Sequence, residues 1–570
     1  MYFLGINYYG HNTSCSLFKN GRLLFAIEEE RLSRVKNDTN FPMQSIKYCL
    51  NKFNLKINDI ELIGAATIPE RLLKKKYIEF PLNVFPKANE YFSDKISMQN
   101  MLFLSYAEKN IRNKLNYKGK IKFFHHHLCH LSSSYFLSGF KKSCSVSLDG
   151  VGEIESSAIA VSNNKNTKIL ESINYPNSLG MVYSAITFYL GYKTNSSEGT
   201  VMALAALGNR KHVIPNTKKT YQQIFKRIIK IKKNGLFEID TTWFNYPYTR
   251  KGWVSNKFLK IFGLPRKYNS KLLDKHKDIA SALQKRFEEA YIAYINRAYK
   301  ITKIPYLTLS GGCALNCKAN GLIQSKTKFK DVYIQPAAGD NGLSIGSGYL
   351  AYLTNSKRKY KPFYYKHTYF GPEYSNHEII NILKKRKINF MIYKNIHTIA
   401  AELLLNKKII GWFQGRMEFG PRALGNRSII SSPFPVAQKD IINKQVKHRE
   451  YFRPFAPAIL IEKVKEYFNL KFKSPFMLMA VSSKKNTLIK APAIVHCDGS
   501  ARVQTVEKSV NLNLYKLIKE FYNKSGVPIL LNTSFNDKGE PIVCSPEDAL
   551  NTFLKTRIDF LIMNNILIKK

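Results

Sequence analysis

One figure of secondary structure occurs twice in this chain, and few architectures accommodate the pair. Residues 2–6, 14–18 and 22–27 read as three short apolar strands, joined by a turn through Gly10, His11 and Asn12 and by a tighter one at Asn20-Gly21. The figure returns at residues 144–148, 156–162 and 168–173, with Asp149-Gly150-Val151-Gly152 in the first turn and Asn163-Asn164 in the second. A chain that repeats strand, glycine turn and hairpin folds as two related halves. His11 then points into the cleft between them, although a lone turn histidine is ordinarily a surface residue.

A second set of residues falls at strand ends. Residues 121–124 read as a strand that delivers HHHLCHLSSSYFLS, a helix with His126 and His130 at i and i+4. One turn of helix puts these two imidazoles on the same face, with His125 and His127 pointing elsewhere. Asp149 follows one strand and Asp340 follows another, at 332–335. Two imidazoles and two carboxylates form a donor set that leaves coordination positions open for phosphate oxygens, and it does not by itself separate Fe²⁺ from Mn²⁺ or Zn²⁺. Asp278 can cap a helix that leads, past Pro305, into a strand at 306–309, the turn Ser310-Gly311-Gly312 and a helix starting near Ala314. Strand, glycine pair and helix N-terminus make an anion or nucleotide cradle, or simply a tight turn.

The third feature is a run of cations. After an apolar strand at 409–413, Arg416, Arg422, Arg427, Lys447, Arg449 and Arg453 are interleaved with Gly, Pro and Ser, and with Trp412, Phe419, Phe452 and Phe455. Guanidinium forks and glycine-freed amides suit a polyanion, whereas a merely solvated basic face needs neither Gly-Pro turns nor aromatics.

Composition narrows the partners. The chain has 570 residues, enough for two or three domains, and 89 basic against 40 acidic residues. The lysines are spread along the whole sequence, so the charge reads as a compositional bias rather than a nucleic-acid stripe. Eight cysteines without a C-x-x-C pair indicate reduced thiols. With no signal-like start and no long apolar run, the expectation is a cytoplasmic protein with no membrane and no nucleic-acid partner. The stretch 80–95 reads as loop-rich, and a domain boundary is expected within 355–375.

Four long motifs carry a resemblance: GRMEFGPRALGNRSI, KHRE-x-FRPFAP, HCDGSARVQTV and GVPILLNTSFNDKGEPIV. They resemble the C-terminal signatures of the NodU/CmcH family of O-carbamoyltransferases, and the N-terminal half is similar to the same family. The resemblance implies an α/β protein with an actin-like (ASKHA) domain over residues 1–355, of the tRNA threonylcarbamoyltransferase-like kind, and a YrdC-like α/β domain over 356–570. It implies that carbamoyl phosphate and ATP, with Mg²⁺, give carbamoyl-adenylate in the C-terminal domain. The carbamoyl group then passes to a hydroxyl of a small molecule or sugar at the N-terminal metal site.

The resemblance also assigns roles. His11 would take the acceptor's proton. His126, His130, Asp149 and Asp340 would hold a divalent metal, Fe²⁺ first, with Mn²⁺ or Zn²⁺ as alternatives. Gly150, Glu198, Gly199, Gly311, Gly312, Asn316 and Asn320 would line the nucleotide site. Here Thr200 stands where lysine is usual and Ala203 where glycine is. Arg422, Lys447, Arg453 and Arg502 would grip phosphates, with Asn532, Thr533 and Ser534 completing the pocket and Arg416 and Arg449 behind. The segment from Glu28 to Arg34 resembles a family EEER motif with Leu32 in place of an aromatic; it is expected to be mainly structural, with Arg31 and Arg34 near the cleft. A homodimer is the family-based expectation. The alternatives are a tRNA threonylcarbamoyltransferase-like enzyme and a non-catalytic ATP-binding homologue.

Overall fold

The computed structural model describes residues 1–84, 87, 95–164, 166–249, 252–356 and 363–570. The loop-rich stretch and the domain boundary expected from sequence lie partly outside these residues. The chain forms two compact units. The first comprises Met1–Glu29, Thr39–Ala319 and Ser325–Tyr364; the second comprises Glu30–Asp38, Asn320–Gln324 and Tyr365–Lys570.

The repeat seen in the sequence becomes a repeat of sheets. β1 (Tyr2–Asn7), β2 (Ser14–Lys19), β3 (Arg22–Glu28), β4 (Ile60–Ala66) and β5 (Lys120–Phe124) form a five-stranded sheet in the order β3-β2-β1-β4-β5. Next come β6 (Lys142–Leu148), β7 (Glu155–Asn163) and β8 (Thr167–Asn174), the small hairpin of β9 (Ile229–Ile231) and β10 (Phe237–Ile239), and then β11 (Tyr306–Ser310) and β12 (Asp331–Ile334). The second sheet runs β12-β11-β6-β7-β8. In each sheet the first strand pairs antiparallel with its hairpin neighbour and parallel with the next strand along. This doubled topology, with its sheets covered by helices, is an α/β arrangement.

Two helices fill the space between the sheets. Leu343–Asn355 packs on β1, β2 and β4, His126–Ser138 packs on β6, β7 and β11, and the two helices pack on each other. Their approach is close enough to require glycine. A Cβ on Gly5 would stand 1.9 Å from the Ser344 carbonyl, and one on Gly346 would stand 1.9 Å from that of Cys129. β1 and β2 are buried almost continuously along their length rather than on alternate residues, as strands covered on both faces are.

The long helix Asp274–Thr302 begins earlier than its sequence suggests. Asp278 is not its cap: it lies one turn inside, where its carboxylate accepts from the Asn209 amide at 2.7 Å and pairs with His212 Nδ1 at 2.9 Å. The turn after β11 is a short 3₁₀ segment, Gly312–Leu315, and the α-helix proper is Cys317–Lys326.

In the second unit β13 (Met391–Ile392), β14 (Ile410–Phe413), β15 (Arg427–Ser431) and β16 (Ala456–Leu460) are followed by a small ribbon of β17 (Ala480–Ser482) and β18 (Ser500–Arg502). Then come β19 (Gln504–Val506), β20 (Ile529–Ser534), β21 (Phe560–Met563) and β22 (Ile566–Lys569). The main sheet is mixed, in the order β13-β22-β21-β14-β15-β20-β16-β19. Its core includes Ile410, Trp412, Ile429, Leu530 and Ile562, with helices Ile396–Leu405 and Leu512–Ser525 packed together over it.

The early segment Glu30–Asp38 clusters with this unit rather than with the strands that flank it in sequence. Arg31 is fully buried, pairs with Glu30 at 2.6 Å and donates to the Gly420 carbonyl at 3.0 Å. Arg34 donates to the carbonyls of Ile542 at 2.8 Å and Pro541 at 2.9 Å. Both arginines act as structural ties. Among the described residues no helix is long and apolar enough to cross a membrane.

Candidate functional site

The first unit gathers four ligand-type side chains from three elements. His126 and His130 share one face of helix His126–Ser138, with ring centroids 4.7 Å apart. The helix starts where it does because the His125 side chain accepts from the Leu128 amide and Glu153 accepts from the His126 amide. Asp149 follows β6, and Asp340 opens the turn before helix Leu343–Asn355. Asp149 Oδ2 lies 3.3 Å from His126 Nε2 and 3.7 Å from His130 Nε2. Asp340 Oδ1 lies 3.8 Å and 3.5 Å from the same two atoms. All four ligand atoms fall within 4.8 Å of one another.

These residues fit a divalent cation. Two donors each about 2.0–2.2 Å from one ion stand about 3–4 Å apart, which matches the spacings here. His130 is fully buried, and neither of its ring nitrogens has a hydrogen-bond partner. An orphaned buried polar atom costs about 1–3 kcal/mol, a cost that coordination would remove. Burial pulls the His130 imidazole down, but Asp149 and Asp340 outweigh it and push it up to about 9. Burial works against an ionised Asp149, yet the two histidines hold its carboxyl well below the usual range. His127 takes no part: burial drives it down to about 3, and its nitrogens are used by Ser147 Oγ at 2.7 Å and the Glu155 carbonyl at 2.9 Å.

His11 stands at the edge of this cluster. Its side chain is 37% exposed, with Nε2 3.8 Å from Asp340 Oδ2 and Nδ1 2.8 Å from Asn12 Oδ1. Burial lowers its basicity, but Asp340 and Asn12 raise it above the ordinary imidazole value. The ring is accessible and backed by a carboxylate.

The expected nucleotide residues separate into two groups. Gly311 has φ +85°, and a Cβ there would meet the Leu148 carbonyl at 2.2 Å; this crossing brings the Gly312 amide to Asp149 Oδ1 at 2.7 Å. The glycine pair therefore braces the Asp149 carboxylate. The Gly150 carbonyl accepts from Ser178 Oγ at 2.6 Å, Glu198 accepts from Ser184 Oγ at 3.0 Å and from the Asn195 amide at 2.8 Å, and Gly199 faces open space. Asn316 is taken up by a reciprocal amide pair with Gln284 at 3.0 and 3.1 Å. Asn320 is fully buried and donates to the Leu478 carbonyl at 2.9 Å.

The second unit sorts the cations. Arg427 is no ligand-binding residue: fully buried over Phe413, it donates to the carbonyls of Pro372, Gln414, Gly415, Asn426 and Cys544. Arg416 donates to the carbonyls of Phe370 at 2.6 Å and Gly371 at 3.3 Å. Lys447, Arg449, Arg453 and Arg502 form a mutually repelling group. Burial first, then Arg453 and Arg502, hold Arg449 well below the usual arginine range, and burial with Arg449 and Arg453 does the same to Lys447. Lys447 Nζ donates to the carbonyls of Ser534 at 2.9 Å and Asn536 at 2.6 Å. Arg449 stacks on Phe455 and donates to Asn443 Oδ1 at 2.8 Å.

Asn532, Thr533 and Ser534 end β20 beside β15, and Asn532 is fully buried against Gln504 at 2.8 Å. Arg422 follows the bend that ends at Gly420-Pro421 and is half-buried. Sequence reasoning missed Glu153 and Thr67. Glu153 accepts from the Ile68 and His126 amides, and the Thr67 hydroxyl lies 3.4 Å from His126 Nδ1. Neither carries a sequence signal, because both act through chain segments remote from their own.

Comparison with known proteins shows the family. The family model described as carbamoyltransferase N-terminus matches residues 2–349, and carbamoyltransferase C-terminus matches 401–570. An uncharacterised protein of Synechocystis is 35% identical over 100% of this chain and 96% of its own length. Nodulation protein NolNO of Sinorhizobium fredii is 33% identical over 99% of this chain and 80% of its own. A 3'-hydroxymethylcephem-O-carbamoyltransferase of Amycolatopsis lactamdurans is 32% identical over 43% of this chain and 45% of its own. With both family models matched in order along one chain, this protein is an enzyme, a transferase belonging to the NodU/CmcH family of carbamoyltransferases.

Proposed function

We propose that the protein is an ATP-dependent O-carbamoyltransferase that makes carbamoyl-adenylate in its second unit and transfers the carbamoyl group to an acceptor hydroxyl at the four-ligand cluster of its first. The observation that carries this reading is the convergence of His126, His130, Asp149 and Asp340, with His11 3.8 Å from Asp340. A YrdC-like identity for the second unit is part of the proposal.

In the second unit, water takes the phosphoryl group of carbamoyl phosphate, leaving phosphate and carbamate, and a carbamate oxygen attacks the α-phosphorus of ATP, forming carbamoyl-adenylate and releasing pyrophosphate. Lys447, Arg453 and Arg502 neutralise the phosphate oxygens, and an anion bound among them relieves their mutual repulsion. Arg422 and the end of β20 complete the pocket, and Arg449, held by Asn443, orients its neighbours.

In the first unit, His126, His130, Asp149 and Asp340 would hold a divalent ion, Fe²⁺ by family preference. When bound, it supplies a positive charge for the adenylate phosphate. His11 takes the acceptor's proton as the acceptor oxygen attacks the carbamoyl carbon and AMP leaves, and Asp340 stabilises the imidazolium that forms. Gly150, Glu198 and Gly199 border the nucleotide. The acceptor class in this reading is a hydroxyl on a small molecule or sugar; a relative named 3'-hydroxymethylcephem-O-carbamoyltransferase supports a small-molecule hydroxyl.

The test is pyrophosphate release by purified protein with ATP, carbamoyl phosphate, Mg²⁺ and Fe²⁺, first alone and then with a panel of hydroxylated sugars and metabolites. Release alone supports the adenylating half, and stimulation by one panel member identifies the acceptor class. Silence under every condition overturns the reading.

A further inference from the structure

We infer that Thr67 is a positioning residue for His126, setting the orientation of that imidazole in the ligand cluster through its hydroxyl. The inference rests on the metal reading proposed above.

Thr67 follows the last residue of β4 and has φ +74°. A β-branched residue in the left-handed region is a genuine outlier that costs on the order of 1–3 kcal/mol, and glycine or asparagine is the ordinary choice there. Such a conformation persists only where the surroundings fix it, and here they do. The Tyr8 hydroxyl donates to the Thr67 carbonyl at 3.5 Å. The next amide, that of Ile68, donates to Glu153 Oε1 at 2.9 Å, and the same carboxylate accepts the His126 amide at 3.0 Å. Glu153 thus ties the strained turn to the first residue of the helix that carries the imidazole.

Within that frame Thr67 is 4% exposed and its Oγ1 lies 3.4 Å from His126 Nδ1. His126 Nε2 faces Asp149 at 3.3 Å and Asp340 at 3.8 Å. With Nε2 turned toward the carboxylates, Nδ1–H donates to the threonine hydroxyl, the arrangement that fixes both tautomer and ring angle of a ligating histidine. His130 offers the contrast. Neither of its nitrogens has a hydroxyl partner of this kind: Nε2 faces only the carboxylates of Asp149 at 3.7 Å and Asp340 at 3.5 Å, and Nδ1 makes no hydrogen bond. A strained threonine kept at this point places a hydroxyl where a relaxed glycine would have none.

The experiment uses the full chain, stripped of metal. Mn²⁺ affinity is measured by competition with a chelating indicator, and the thermal midpoint of the metal-free protein is recorded, for wild type, Thr67→Val, Thr67→Ser, Thr67→Ala and His130→Ala. Thr67→Val keeps the shape and backbone demand but loses the hydroxyl; it should bind Mn²⁺ about 10-fold or more weakly with an unchanged metal-free midpoint. Thr67→Ser should bind as wild type does, and Thr67→Ala should show the same loss as Thr67→Val even if its midpoint shifts. Wild-type affinity in Thr67→Val, equal loss in Thr67→Ser, or disagreement between the two hydroxyl-free variants overturns the inference while leaving the metal reading intact. A wild type that binds Mn²⁺ no better than His130→Ala overturns the metal reading and this inference with it.

Discussion

Arg427 and His130 show opposite uses of a buried polar side chain. Every nitrogen of the Arg427 guanidinium donates to a backbone carbonyl, and three other segments of the second unit, at Pro372, Gln414-Gly415 and Cys544, meet on it. Replacing it with alanine strands buried carbonyls and should lower stability by on the order of 3 kcal/mol, read as a drop in the urea midpoint. Arg427→Lys should recover little, since one ammonium cannot span the fork. His130 has no such partners. In sequence Arg427 is one of six similar cations, and nothing in its neighbours marks it as structural, because the carbonyls it binds come from positions as distant as Pro372 and Cys544. The histidine pair was legible because i and i+4 on a helix is a local rule, and the aspartates were legible because each follows a readable strand. Thr67 and Glu153 were not, since a left-handed φ and a carboxylate bridging two segments leave no pattern in the letters.

At the scale of elements, the close crossing of the two central helices makes a direct forecast. Gly346→Ala forces a methyl against the Cys129 carbonyl, in the helix that carries His126 and His130. It should cost about 1–3 kcal/mol and weaken metal binding along with stability, measured by thermal denaturation with and without Mn²⁺. The start of helix Asp274–Thr302 carries a pH dependence. His276 Nδ1 accepts from the Leu273 amide at 3.0 Å, and burial, then Lys275 and Arg266, drives its imidazole down to about 4. As pH falls from about 6.5, where an unfolded histidine titrates, toward about 4, the unfolded chain takes up a proton that the folded chain refuses. The contribution is whole above that window and lost across it. His276→Gln should therefore show a smaller fall in urea midpoint between pH 7 and pH 5 than wild type. The strands of the repeat were readable to within a residue or two, whereas this helix start was not: Asp278 has the right chemistry for a cap, but a tertiary contact with Asn209 and His212 uses it instead.

At the scale of the molecule, the proposed assignment of adenylation to the second unit and transfer to the first predicts that the two half-reactions come apart under mutation. Arg502→Ala should abolish pyrophosphate release while leaving transfer from supplied carbamoyl-adenylate largely intact, and His130→Ala should do the reverse. Equal loss of both half-reactions in either variant contradicts the division of labour. The second unit, for its part, is assembled from three separated lengths of chain. Arg31 and the Gly420 carbonyl that it meets are 389 residues apart, and Arg34 waits longer still, for Pro541 and Ile542. A ribosome adding about 5–20 residues per second needs roughly 20–80 s to cover the first of those gaps. Throughout that interval two cations destined for enclosure stay in water. Birth order and final neighbourhood therefore disagree: one of the earliest pieces translated is among the last to find its place.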